Sequence, residues 1–174
     1  VLLIGAISDR GDKSALPTII KLTKSDNIDV RLTAIQALGK IGDSNSLLPV
    51  ATIAASTTGH ERNLARSTIA NIKSKNVQNT IIEKIKETSP EIQSELVRAI
   101  AARAEQSALN HLFKYAKSEF SPVRKEAIRG IGILGSAKYI GNLMDLLINP
   151  IEDSDRADIE SAIVYNFRRI ENNK

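Results

Sequence analysis

Four arginines stand at nearly one interval along this chain. Arg31, Arg62 and Arg124 share a period of 31 residues, Gln93 fills the intervening slot, and Arg156 falls one residue out of step. A guanidinium fork suits phosphate or carboxylate, so a stacked column of them would make a basic ladder for an anionic ligand. The same column could instead pair with neighbouring turn acids such as Asp29, Asp43 and Glu105 and with helix-end carbonyls. The repeat-defining position beside acids favours this second, structural role. Two further pairs, Glu95 with Arg98 and Glu126 with Arg129, have helical i,i+3 spacing and would neutralise each other. If the chain presents a surface to a partner, its candidate residues are Arg31, Arg62, Arg98, Arg124 and Arg129.

Other reactive residue types form no constellation. His60 and His111 have neither a cysteine nor a second histidine at metal-ligand spacing. Glu152, Asp153, Asp155 and Asp158 could attract a divalent cation, but their spacing is not that of a calcium loop, and acids suit the start of a helix. Gly130-Ile131-Gly132-Ile133-Leu134-Gly135 matches a dinucleotide fingerprint only superficially, since no strand precedes it. No nucleophile elbow or phosphate loop is present. No catalytic, cofactor-binding or metal-ligating set is therefore assigned, and the chain reads as a non-enzyme.

What positions these residues is an internal repeat. The 31-residue step takes Ala34 to Ala65, Leu96 and Ala127, and Leu38 to Ile69, Ile100 and Ile131. From Val30 it reaches Glu61, Ile92 and Val123, with one polar member. Turn residues keep the period as well, through Asp12, Asp43, Ser74, Glu105 and Ser136. Such a register marks a solenoid whose units bury their faces against one another. Each unit reads as two helices, with Pro17 in a first turn, Gly42 at a helix C-terminus and Asp43 capping the helix that follows. Ser89-Pro90 and Ser121-Pro122 each supply an N-cap serine with proline next to it.

The predicted pairs span 14–24 with 28–41, 45–56 with 60–73, 77–87 with 90–104, 107–118 with 122–134, and 137–148 with 154–171. A lone helix over 1–9 precedes them. The expected fold is all-α, a right-handed α-α superhelix of about five helix pairs plus a leading helix, as one domain over 1–174. Helix should exceed about 65% of the chain, with almost no strand. Phe113 and Phe167 are expected in the core, with Tyr115, Tyr139 and Tyr165 half-buried.

The string Asp29-Val30-Arg31…Ala34…Ala37-Leu38-Gly39…Ile41-Gly42-Asp43, preceded by Ala15-Leu16-Pro17, resembles a bacterial HEAT repeat of the phycobilisome-lyase-like type. Ser121-Pro122-Val123-Arg124…Ala127-Ile128…Gly130-Ile131-Gly132…Leu134-Gly135 is similar to the same repeat. The third unit departs most, with Ile72-Lys73-Ser74-Lys75 in place of the glycine turn. The resemblance implies a non-catalytic interaction or scaffolding module, with a protein or peptide partner or neighbouring domains of the same chain. It also implies that second helices line a concave face. A row there runs Thr33, Leu64, Glu95, Glu126, Asp158, and the next Gln36, Ser67, Arg98, Arg129, Ser161. Two alternatives come from the same resemblance: nucleic-acid binding, as in HEAT-like alkylpurine DNA glycosylases, and an accessory lyase role. The opposed charges and the absence of aromatic stacking groups at the face argue against nucleic acid. Arrays ending in a segment similar to Tyr165-Asn166-Phe167-Arg168-Arg169-Ile170 also resemble modules of large exported or periplasmic bacterial proteins, sometimes beside sugar-hydrolase-like domains.

Bulk composition bounds the rest. The 174 residues are 42% hydrophobic and lack cysteine, which excludes disulfides and thiolate metal sites. Twenty-four basic and 20 acidic residues leave a formal charge of +4, too small to imply a nucleic-acid partner. Apolar runs such as Val1 to Ala6 are far shorter than a bilayer span. The absence of an initiator Met, together with Val1-Leu2-Leu3-Ile4, leads us to expect a piece of a longer polypeptide, any signal peptide lying outside it. Its leading helix should expose an apolar strip over Val1 to Ile4.

Overall fold

A computed structural model describes residues 1–74 and 76–171, with side chains through Arg168. The fold is 79% helix, and no strand occurs among the described residues. After α1 (Leu2–Asp9) come the pairs α2 (Leu16–Leu22) with α3 (Ile28–Ile41) and α4 (Leu47–Ser56) with α5 (Gly59–Asn71), followed along the chain by α6 (Val77–Ile85) and α7 (Pro90–Ala102). Then follow α8 (Leu109–Tyr115) with α9 (Ser121–Leu134), and α10 (Ile140–Ile148) with α11 (Arg156–Glu171). No helix among the described residues is long and apolar enough to cross a membrane. The chain divides into two compact units, 1–88 and 89–174. In the first, α3 packs against α1, α2 and α5, and α4 against α5. In the second, α9 packs against α7, α8 and α11, and α10 against α11.

The repeat register is the core. Ala34, Leu38, Ala65, Ile69, Leu96, Ile100, Ala127 and Ile131, the two apolar series of the 31-residue step, are all fully buried. Around α1 the outcome is mixed: Val1, Leu2 and Leu3 are exposed while Ile4 is buried.

Four of the five periodic turn residues occupy the same structural position. Asp12, Asp43, Glu105 and Ser136 are the N-caps of short 3₁₀ turns that lead into α2, α4, α8 and α10. Asp12 accepts a hydrogen bond from the Ser14 N–H at 2.9 Å, and Asp43 accepts from the Asn45 N–H at 2.9 Å. These bonds satisfy donors that the start of a helix leaves orphaned. Asn27 does the same for α3, accepting from the N–H groups of Asp29 and Val30. The proline signals divide: Ser89 is the N-cap of α7, whereas Phe120 caps α9 and Ser121 is already helical.

One position earlier lie Gly11, Gly42, Ala104 and Gly135, and the chain turns there in two ways. Gly11 and Ala104 are left-handed, at φ 71° and 57°. Gly42 and Gly135 are not, at φ −59° and −64°. Gly42 is therefore no left-handed helix terminator. It is glycine because an added Cβ would overlap the Leu38 carbonyl oxygen, to which its own N–H donates at 2.9 Å. The glycines inside α9 serve helix packing. A Cβ on Gly130 would lie 2.8 Å from the Ala101 Cβ on α7, and one on Gly132 would lie 3.1 Å from the Ala162 Cα on α11.

Two substitutions in unit 2 should thus move stability in opposite directions. Ala104→Gly removes left-handed strain and should stabilise by about 0.5–1 kcal/mol after glycine's entropy cost. Gly130→Ala should destabilise by about 1–3 kcal/mol, because overpacking outweighs the better helix propensity of alanine. Urea unfolding checks both, and a stabilised Gly130→Ala would contradict the close helix contact.

Candidate functional site

The arginine column is built into the packing of each unit. Arg31 donates through Nε and Nη2 to the two carboxylate oxygens of Glu61 on α5, at 2.8 and 3.2 Å. Its Nη1 donates to the carbonyls of Ser25 and Asp26, at 2.9 and 3.1 Å. Arg124 repeats this pattern in the second unit. Its Nη1 donates to the carbonyls of Ser118 and Glu119, at 3.1 Å each. Its Nε reaches Asp155 at 2.7 Å, and Nη2 lies 2.8 Å from Glu152. In both units one planar fork holds the turn within a helix pair and a carboxylate from the next pair. Arg156 makes a shorter version, with Asp153 at 3.1 Å and the Leu147 carbonyl at 2.8 Å. Arg62 is half-buried, and its Nε has no hydrogen-bond partner.

These distances correct the expected partners. Asp29 sits in the first turn of α3, Asp43 caps a 3₁₀ turn, and Glu105 lies 3.8 Å from Arg103. The column uses Glu61, Glu152 and Asp155 instead. Arg124 is fully buried, so it belongs to the interior of unit 2 and is withdrawn from the candidate surface. The acidic stretch before α11 is occupied likewise: Glu152 and Asp155 hold Arg124, and Asp153 holds Arg156.

Arg98 and Arg129 do lie on the second-helix face of unit 2. Arg98 lies 3.9 Å from Glu95 and donates across to Glu126 on α9. Glu126 also faces Arg129 at 3.6 Å. The result is an alternating run, Glu95–Arg98–Glu126–Arg129, with little net charge. Beside it a groove of about 310 Å³ separates α9 from α11, walled by Arg129, Ile133, Ser161 and Tyr165 among others. Ile133 is 48% exposed and Tyr165 62% exposed. In unit 1 the corresponding rows are mild: Thr33 donates to the Asp29 carbonyl, and Ser67 to that of Leu64.

Tyr165 and Phe167 were expected half-buried and buried, yet both are exposed. The buried stripe of α11 runs Ile159, Ala162, Ile163 and Asn166, and both aromatics lie beside it. The sequence did carry a signal for the groove's rim. One helical turn beyond the two polar rows, the same period gives Lys40, Asn71, Ala102 and Ile133, with Tyr165 one residue out of step. Arg169 and Ile170, in the terminal segment that carried one resemblance, lie outside the described side chains, and Lys75 lies outside the described residues. His60 is exposed and His111 half-buried, in different helices.

Packed helix pairs with a buried apolar register and a clasping arginine define an α-solenoid repeat protein. The sequence profile of the HEAT repeats matches residues 1–70 and 79–163, and the chain belongs to the HEAT-repeat family. The unmatched interval covers Ile72-Lys73-Ser74, where the glycine turn is missing. No curated protein matches the chain.

Arg124→Ala should cost about 3–5 kcal/mol, because it strands the buried Asp155 carboxylate and two turn carbonyls. Arg31→Ala, at a partly exposed site, should cost much less. Equal losses on denaturant unfolding would contradict the difference in burial. The Arg31 hydrogen bonds hold the Glu61 carboxyl below its ordinary value of 4.5. Its contribution is therefore complete above that value and is lost as pH falls through the lower folded one. Glu61→Gln should flatten the acid limb of the stability–pH curve, and an unchanged limb would contradict the pairing.

Proposed function

We propose that this chain is a non-catalytic protein-interaction or scaffolding module of a larger protein. Its partner is a protein or peptide segment, or a neighbouring domain of the same chain. One observation carries the reading: Ile133 and Tyr165 stand exposed on opposite walls of the α9–α11 groove. An apolar rim next to mutually neutralised charges suits a partner that brings an apolar anchor. HEAT repeats are commonly interaction scaffolds, which supports the same reading. The Asp29-Val30-Arg31 and Gly42-Asp43 punctuation supports a bacterial repeat of the phycobilisome-lyase-like type. The 31-residue period runs through residues 88 and 89, which supports one repeat array over 1–174. We include a role in an exported protein in the proposal.

Selection of a phage-displayed peptide library on the chain tests the groove. Peptides should be enriched that bind the wild type at least about tenfold more tightly than an Ile133→Asp/Tyr165→Asp variant, a loss of ~1.4 kcal/mol. Equal binding to both proteins would remove the groove from the account. Duplex DNA should bind no tighter than about 10⁻⁶ M at physiological salt, the non-specific range. Nanomolar duplex affinity in a salt titration would favour the nucleic-acid alternative.

A further inference from the structure

The first-helix side of unit 2 holds a second groove, between α8 and α10, of about 400 Å³. Lys114 and Lys117 form one wall, Asn142, Asp145 and Asn149 the other, and Phe113 and Leu146 the floor. Its polar side chains differ in one respect from most of those that line the other grooves. On the second-helix face, Arg98, Glu126 and Arg129 are engaged with each other. In the first-helix groove of unit 1, Thr23, Thr52, Ser56 and Thr57 donate to carbonyls of their own helices, and Arg31 pairs with Glu61. Around the α8–α10 groove, Lys114, Lys117, Asn142, Asp145 and Asn149 are all exposed and enter no side-chain hydrogen bond or ion pair among the described residues.

The floor is held in place. Phe113 stacks on Tyr139, with ring centroids 5.8 Å apart and planes at 29°. Lys138 lies 5.6 Å over the same tyrosine. An aromatic ring fixed in this way gives a ligand a ready apolar contact without an ordering cost.

We propose that this groove binds an extended acidic peptide that carries an apolar residue between its acids. Three features select this occupant. Asn142 lies in α10 and Asn149 is its C-terminal cap, seven residues further on; the helical rise over that interval is about 10 Å, the length of about three extended residues. Each carboxamide offers both a donor and an acceptor, the pair needed to bracket a peptide unit, and Asp145 between them accepts a main-chain N–H. On the facing wall, two lysines against one aspartate leave a positive excess for carboxylate side chains. The apolar residue seats on Phe113 and Leu146. This face is separate from the α9–α11 groove, so its occupancy is independent of that proposal.

Fluorescence anisotropy with two labelled peptides tests it. One is a nonapeptide of glutamates around a central leucine, and the other has lysines in place of the glutamates. The glutamate peptide should bind the wild-type chain, at least about tenfold tighter than the lysine peptide. Lys114→Glu/Lys117→Glu should reverse that preference, and Asn142→Ala/Asn149→Ala should weaken the glutamate peptide by about fivefold or more. All four positions are exposed, so an unchanged thermal midpoint confirms folding. Ile133→Asp/Tyr165→Asp should leave the affinity unaltered, which separates this site from the other groove. Failure of the wild type to bind the glutamate peptide, equal affinity for both peptides, or indifference to the lysine and asparagine variants would each overturn the proposal. Loss of binding in the Ile133→Asp/Tyr165→Asp variant would do the same, by moving the contact to the other face.

Discussion

Within each compact unit the architecture depends on how one helix pair is tied to the next, and an arginine fork supplies the tie. A solenoid repeat has only its neighbours to pack against, so its interfaces must satisfy polar backbone as well as bury apolar surface. The turn between the two helices of a pair exposes carbonyls that helix geometry leaves without donors. Arg31 and Arg124 donate to two such carbonyls each and send their remaining nitrogens to a carboxylate of the following pair. A lysine has no planar fork with which to meet both demands. The burial of Arg124 follows from its enclosure between α9 and the acids before α11.

That use of the arginines decides which surfaces are open to partners. A buried or carboxylate-bound guanidinium offers little to phosphate, and Arg98 and Arg129 share Glu126. A basic ladder is therefore not what unit 2 presents. It presents an apolar rim at Ile133 and Tyr165 on its second-helix face and free lysine and amide groups on its first-helix side. Both surfaces suit polypeptide ligands, for different reasons: apolar anchoring in one groove, and charge with main-chain hydrogen bonding in the other.

The fold was legible in the sequence because burial by neighbour repeats imposes one period on every apolar slot. Ala34 and Leu38 and their successors at 31-residue steps are all fully buried. The turn acids Asp12 and Asp43 kept the period because each caps a 3₁₀ turn that leads into the next helix pair. The ion pairs were harder to see. Asp29 and Asp43 are nearer to Arg31 in sequence, but Arg31 pairs with Glu61, the single polar member of the Val30 series. That exception in an apolar column was the partner itself. Gly130 and Gly132 resembled part of a nucleotide motif, while their role is the close approach of α9 to α7 and α11. Tyr165 and Phe167 were misplaced because they flank, and do not join, the buried stripe of Ile159, Ala162, Ile163 and Asn166 on α11.

In unit 2 the buried Arg124 clasps neighbouring repeats and does not stand free for a ligand. A double-mutant cycle between Arg124→Met and Asp155→Leu measures this directly in urea unfolding. The clasp predicts a coupling free energy above about 1.5 kcal/mol, with the double variant more stable than the sum of the single losses implies. Additive losses, within about 0.5 kcal/mol, would contradict it.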